Sequence, residues 1–101
     1  MNSLMWYLNR QREWSERTFG PGRRTGGITA HIEKECAEIR ADPNDRAEWI
    51  DVMILAMDGY WRAGGTPEEL FSALKAKQAV NFARQWPDRL PEDQPMEHVR
   101  S

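Results

Sequence analysis

The tightest constraint on this chain is a pair of acidic doublets flanking a short turn: Glu35-Cys36-Ala37-Glu38 and, ten residues past Glu38, Glu48-Trp49-Ile50-Asp51. The i, i+3 spacing within each doublet predicts helix on both sides, because three residues make about one turn and set both carboxylates on one stripe. Between the doublets, Ala41-Asp42-Pro43-Asn44-Asp45 has the composition of a turn, so two antiparallel helices are expected with four carboxylates facing one another. Like charges gathered this closely destabilise a fold unless something cationic sits among them, and hard divalent ions such as Mg²⁺ take oxygen ligands of this kind. The competing interpretation is two solvated helix faces, where such doublets are common. Against it stands the setting of the second doublet in an apolar run from Trp49 to Asp58, where a carboxylate needs a partner or a metal.

The remaining pattern predicts helix almost throughout. A first helix is expected from about Ser3, its N-cap, to about Thr18, with Leu4, Met5, Leu8 and Trp14 facing inward, ending at Phe19-Gly20-Pro21-Gly22. The stretch to Gly27 sets Arg23 and Arg24 among glycines and reads as a surface loop, although that composition also lets backbone approach a ligand closely. The second helix is expected from near Thr29 to about Arg40, with Ile28, Ile32, Cys36 and Ile39 as an apolar stripe and His31, Glu35 and Glu38 on the neighbouring one. The third opens after Pro43 and closes at Gly64-Gly65; it is apolar nearly all round, more than a bundle this small can cover, which predicts a homo-oligomer, a dimer or higher.

The fourth helix carries a complete start signal in Thr66-Pro67-Glu68-Glu69, with Thr as N-cap, Pro at the first position and Glu at the third. Leu70, Phe71 and Leu74 supply its apolar face, and Lys77, Asn81 and Arg84 at i, i+4 and i+7 form one polar stripe. That stripe is either a solvated face or, beside a carboxylate cage, a holder of phosphates. The helix is expected to stop at Trp86-Pro87, where Pro87, Pro91 and Pro95 among charged residues predict an extended tail over about 87–101 that wraps the domain or a partner.

With 101 residues and 40% hydrophobic content, the whole of residues 1–101 reads as a single all-α domain, a four-helix bundle with a tail. A net charge of −2 with no long basic block argues against nucleic acid as a partner. Met1-Asn2-Ser3-Leu4 lacks the basic start of a secretory leader, and no apolar run approaches the roughly 18 residues of a membrane span, so a soluble, cytoplasmic protein without a membrane partner is expected. Cys36 is the only cysteine and reads as a buried structural thiol; His31 and His98 are too few for a zinc set or a Ser-His-Asp triad. The five tryptophans are expected mainly in the core; Trp6, Trp14 and Trp61 suit stacking on a base, but none is assigned to a pocket.

The order E-x-x-E, turn, E-x-x-D, apolar helix, glycine and a Lys/Asn/Arg-bearing helix resembles the MazG-like all-α nucleoside triphosphate pyrophosphohydrolases. The likeness is closest to one branch. His31-Ile32-Glu33-Lys34-Glu35, Pro43-Asn44-Asp45-Arg46-Ala47-Glu48-Trp49-Ile50-Asp51, Asp58-Gly59, Arg62-Ala63-Gly64 and the stretch from Lys77 to Pro87 are similar to phage and bacterial proteins described as dATP/dGTP diphosphohydrolases. The resemblance implies Mg²⁺, with Mn²⁺ as an alternative, on Glu35, Glu38, Glu48 and Asp51, and a triphosphate on Lys77 and Asn81, with Arg84 next on their stripe. It further implies hydrolysis between the α and β phosphates to a nucleoside monophosphate and pyrophosphate, in a bacterial or phage-infected cell. Glu35 or Glu38 would orient or deprotonate the attacking water. The short turn between the doublets leaves little room for the insertions that shape base pockets in longer relatives, so the reaction is implied more firmly than the base. Two alternatives share the pattern: a house-cleaning pyrophosphohydrolase for non-standard nucleotides, and a non-catalytic helical interaction module.

Overall fold

The computed structural model describes residues 3–87 and 94–99. Four helices of 17 residues each, α1 (Ser3–Phe19), α2 (Thr25–Ala41), α3 (Arg46–Arg62) and α4 (Pro67–Ala83), account for most of them. Among the described residues the only extended pairing is an isolated antiparallel bridge between Gln85 and Val99. The all-α expectation therefore holds. The chain divides into two compact units, Met1–Glu69 and Leu70–Ser101.

In the first unit α2 and α3 form the hairpin that the acidic doublets predict. The turn closes when the Asp42 N–H donates to the Glu38 carbonyl at 3.0 Å. Asp45 then caps α3, its carboxylate accepting from the Ala47 N–H at 3.1 Å. Glu35 comes beside Glu48, and Ile28 beside Gly59, where an added Cβ would lie 3.9 Å from Ile28 Cγ2; this reversed order of pairing makes the helices antiparallel. At its far end α3 finishes in the bond pair of a Schellman motif, Gly65 N–H to Tyr60 carbonyl at 2.9 Å and Gly64 N–H to Trp61 carbonyl at 3.0 Å.

α2 begins at Thr25, one turn before the expected start at Thr29. Thr29 is therefore interior, and its hydroxyl donates back to the Thr25 carbonyl at 2.8 Å. Docking of the buried Ile28 against Gly59 offsets the roughly 1 kcal/mol that each glycine costs in a helix. The fourth-helix start matches its signal: Thr66 Oγ1 accepts from the Glu69 N–H at 3.3 Å.

The packing of α1 departs from the sequence expectation. It meets α3 through polar side chains, Gln11 on the Trp61 indole N–H at 2.7 Å and Ser15 on Asp58 at 2.6 Å. Ser15 is the buried residue of α1, while Leu4 and Trp14 are exposed and Met5 and Leu8 only half-buried. The tryptophans likewise are not mainly core: Trp61 is buried, but Trp6, Trp14, Trp49 and Trp86 are exposed. Cys36 is half-buried. Among the described residues the buried apolar side chains are Ile28, Ile39, Trp61 and Pro67, whereas Ile50, Met53 and Ile54 on α3 are exposed along with Trp49. Four buried apolar side chains, at roughly 1.5 to 3 kcal/mol each, are few against the ordering entropy of the helices they hold.

In the second unit α4 ends at Ala83, short of the expected stop at Trp86-Pro87. The Asn81 carbonyl accepts from the Arg84 N–H at 3.3 Å and from the Trp86 indole at 2.9 Å, which turns the chain out of the helix. The tail returns here: the Val99 N–H donates to the Gln85 carbonyl at 2.6 Å, and His98 packs edge-on to Trp86. Pro91, part of the predicted tail, lies outside the described residues. Phe71 and Leu74, expected to be the apolar face of α4, are exposed.

Candidate active site

The α2–α3 hairpin brings Glu35, Glu38 and Glu48 together, with one carboxylate oxygen from each lying within 4.8 Å of the others. Glu35 is buried and Glu48 half-buried because their helix faces border the α2–α3 contact, as the stripe beside Ile28, Ile32 and Ile39 predicts. Glu35 Oε1 lies 3.1 Å from His31 Nε2, one turn earlier on α2. Its Oε2, and Oε2 of Glu48, are buried with no hydrogen-bond donor. Buried carboxylate oxygens without donors are costly unless a proton or a cation joins them.

The electrostatics show that demand. The Glu48 carboxyl is pushed up to about 7, first because its protonated form donates to Glu35, then through Glu38, burial and the repulsion of both neighbours. Glu35 is correspondingly lowered, chiefly by accepting from Glu48, with burial opposing and Glu38 and His31 assisting. The trio thus favours uptake of a proton or a cation, and the all-oxygen donor set with unpartnered buried atoms fits a hard divalent ion such as Mg²⁺ or Mn²⁺.

Asp51, the fourth predicted acid, is exposed and stands outside this trio. It meets Glu35 instead across a cavity of about 280 Å³, whose wall also includes Trp14, Phe19, Arg24, Ile28, His31, Ile54 and Asp58. Trp14 and Phe19 pack edge to face at 5.4 Å, and the Arg24 guanidinium lies 5.1 Å over the Phe19 ring. This aromatic and cationic wall comes from the end of α1 and the loop after it, which sequence reading leaves as a surface loop. Its signals in the sequence are Arg24 among glycines and Trp14, suited to stacking but assigned to no pocket. Asp58 and Arg62 also escaped assignment, although a lone acid in an apolar run with a base four residues later signals an ion pair. Lys77, Asn81 and Arg84 belong to the second unit, where Arg84 Nη1 donates to Asn81 Oδ1 at 3.1 Å and Lys77 is exposed.

With its four helices and acidic hairpin, the structure has the MazG-like all-α fold. It is similar to the cyanophage S-2L MazG-like pyrophosphohydrolase bound to dGDP and three catalytic Mn²⁺ ions per active site, with a TM-score of 0.73 and 29% identity, covering 99% of this chain and 100% of that one. The profile of the dATP/dGTP pyrophosphohydrolase family matches residues 7–101, and the chain belongs to that family. Among curated proteins it is 38% identical over 90 residues to the Eaa protein of Salmonella phage P22, covering 87% of this chain and 27% of that protein. It is also 38% identical over 68 residues to the dATP/dGTP diphosphohydrolase of cyanophage S-2L, covering 65% of this chain and 62% of the relative. The chain thus spans under two thirds of the length of either curated relative. Among the described residues no helix is long and apolar enough to cross a membrane.

Proposed function

We propose that residues 1–101 form one catalytic domain that hydrolyses deoxynucleoside triphosphates, dATP and dGTP foremost, to the monophosphate and pyrophosphate in the cytoplasm of a bacterial or phage-infected cell. The observation that carries this reading is the Glu35, Glu38 and Glu48 trio, with two buried oxygens lacking donors, in a member of the dATP/dGTP pyrophosphohydrolase family. Those three residues, with Asp51 across the cavity, would hold Mg²⁺ or Mn²⁺. Bound there, the ion supplies neutralisation of phosphate charge and a more acidic water. Glu35 and Glu38 are the catalytic residues: one of their carboxylates accepts the proton of the water that attacks the α-phosphorus. Lys77, Asn81 and Arg84 contact the triphosphate, their donors matching its oxygens. The exposed apolar residues of α3 serve a homo-oligomer, as their number relative to the small core supports.

Incubation of the purified chain with single nucleotides and Mn²⁺ or Mg²⁺ tests the reading, with products resolved by chromatography. dAMP or dGMP formed in equal amount to pyrophosphate is the expected result. Orthophosphate as the sole phosphorus product would overturn it.

A further inference from the structure

Arg62, at the last position of α3, divides its hydrogen bonds between Asp58 on its own helix and the end of α1 with the loop beyond it. Its Nε donates to Asp58 Oδ1 at 3.0 Å, Nη1 to the carbonyls of Gly20 and Gly22 at 2.8 Å each, and Nη2 to the Ser15 carbonyl and hydroxyl at 3.3 and 3.1 Å. A guanidinium has five N–H groups, so all are used. The acid it balances is shared, for Asp58 Oδ1 also accepts from the Ser15 hydroxyl at 2.6 Å. The Arg62 side chain is 4% exposed and Ser15 1%.

What this clamp holds is the wall of the cavity. Gly20 and Gly22 stand at φ 87° and 98°, a backbone that only glycine adopts at little cost, and their carbonyls are turned onto Arg62. Phe19 immediately precedes the clamped pair. Arg24, two residues after it, takes the left-handed conformation at φ 48° and covers the Phe19 ring. Trp14, adjacent to Ser15, supplies the other ring. Each member of the wall is thus within two residues of a residue that Arg62 grips. Asp58 lines the same cavity, with its charge already balanced.

We propose that Arg62, with Asp58 and Ser15, is a positioning device that fixes the Trp14, Phe19 and Arg24 wall against which the nucleoside end of the substrate binds. The proposal rests on the nucleotide-hydrolysis reading above. It assigns to Arg62 no contact with substrate and no part in metal binding; a lysine would keep the charge but offer three donors to five acceptors.

The test uses the full chain in three forms, wild type, Arg62→Lys and Ser15→Ala. Each is measured for Mn²⁺ affinity by calorimetry, for dGDP affinity in saturating Mn²⁺, and for steady-state hydrolysis of dGTP. Loosening of a preorganised wall predicts for Arg62→Lys a dGDP affinity and a KM worse by about tenfold, with kcat within about threefold and Mn²⁺ affinity unchanged. Ser15→Ala, which removes one hydroxyl from the network, should weaken dGDP by about threefold. A folded Arg62→Lys chain that binds dGDP as wild type does, or that loses Mn²⁺ affinity and kcat together, overturns the proposal. Should Arg62→Lys not fold, Ser15→Ala decides, and unchanged dGDP affinity in it is the refuting result. A wild-type chain that leaves dGTP intact with Mn²⁺ refutes the functional reading itself, which a change confined to the variants does not.

Discussion

Two acidic sites share the first unit and treat their charge in opposite ways. Asp58, 6% exposed, is matched by Arg62 and Ser15. Glu35, 7% exposed, has two further carboxylates for neighbours, the His31 ring 3.1 Å away, and a buried oxygen without a donor. Burial is nearly equal, so it does not separate a structural acid from a functional one. Charge balance does. A fold that needs a buried acid only for packing supplies its counter-charge in the same chain, whereas a site left with surplus negative charge is completed by something that arrives from solution.

The comparison breaks first at the trio. Glu38→Gln or Glu48→Gln should lower metal-dependent kcat/KM on the order of a thousandfold, since several kcal/mol of phosphate neutralisation depends on the ion. Asp51→Asn is expected to act in the same direction. Because the substitution removes repulsion, helix content and the metal-free melting temperature should hold or rise; near-normal turnover in these variants would show the surplus charge to be idle. The balanced acid should behave in reverse. Asp58→Ala strands a buried guanidinium and is expected to cost about 3 to 5 kcal/mol of stability in denaturant melts while Mn²⁺ affinity is retained. A variant as stable as wild type would remove the contrast.

The two sites were also unequally legible. The hairpin and its acids could be read directly, because i, i+3 spacing and a Pro-Asn turn are local signals, and Glu35, Glu38 and Glu48 do converge. Asp51 carries the same spacing yet stays apart from the trio, since a stripe fixes a helix face but not which residue on it meets the partner helix. The clamp is hidden because its partners on α1 and the following loop lie 40 to 47 residues from Arg62 and three of them are backbone carbonyls, whose position no side-chain pattern encodes. The inward face of α1 is hidden for a related reason. Hydrophobic periodicity points to Leu4 and Leu8, but Ser15 and Gln11 hold the helix by hydrogen bonds that periodicity does not register.

A third expectation sharpens the contrast from outside the first unit. If surplus charge marks the site completed from solution, the cationic stripe of α4 should matter to the substrate and not to the fold. Lys77→Ala should lower kcat/KM on dATP and dGTP by about tenfold to a hundredfold, the worth of a charge-assisted bond of roughly 1.5 to 3 kcal/mol, with no change in melting temperature. Asn81→Ala should cost less. Wild-type efficiency in both would leave the stripe a solvated face.

The smallest effect lies in pH, and it separates the two acids without mutation. Glu48 has its folded-state value raised from 4.5 to about 7, so the stability it contributes is fully present below 4.5 and is lost as pH rises through about 7. Glu35 is lowered instead, so its contribution is present above 4.5 and is lost only as pH falls below that value. Between 4.5 and 7 the trio is therefore governed by Glu48, and the metal-free protein should melt at a higher temperature at pH 6 than at pH 8. A cation competes with that proton. Calorimetric Mn²⁺ affinity should fall by up to about tenfold per unit as pH drops below 7, with close to one proton released per ion bound at pH 6. Saturating Mn²⁺ should then reverse the melting trend, stabilising more at pH 8 than at pH 6. An affinity flat across this range would mean that Glu48 is no ligand, and the surplus charge that distinguishes this site from Asp58 would need another occupant.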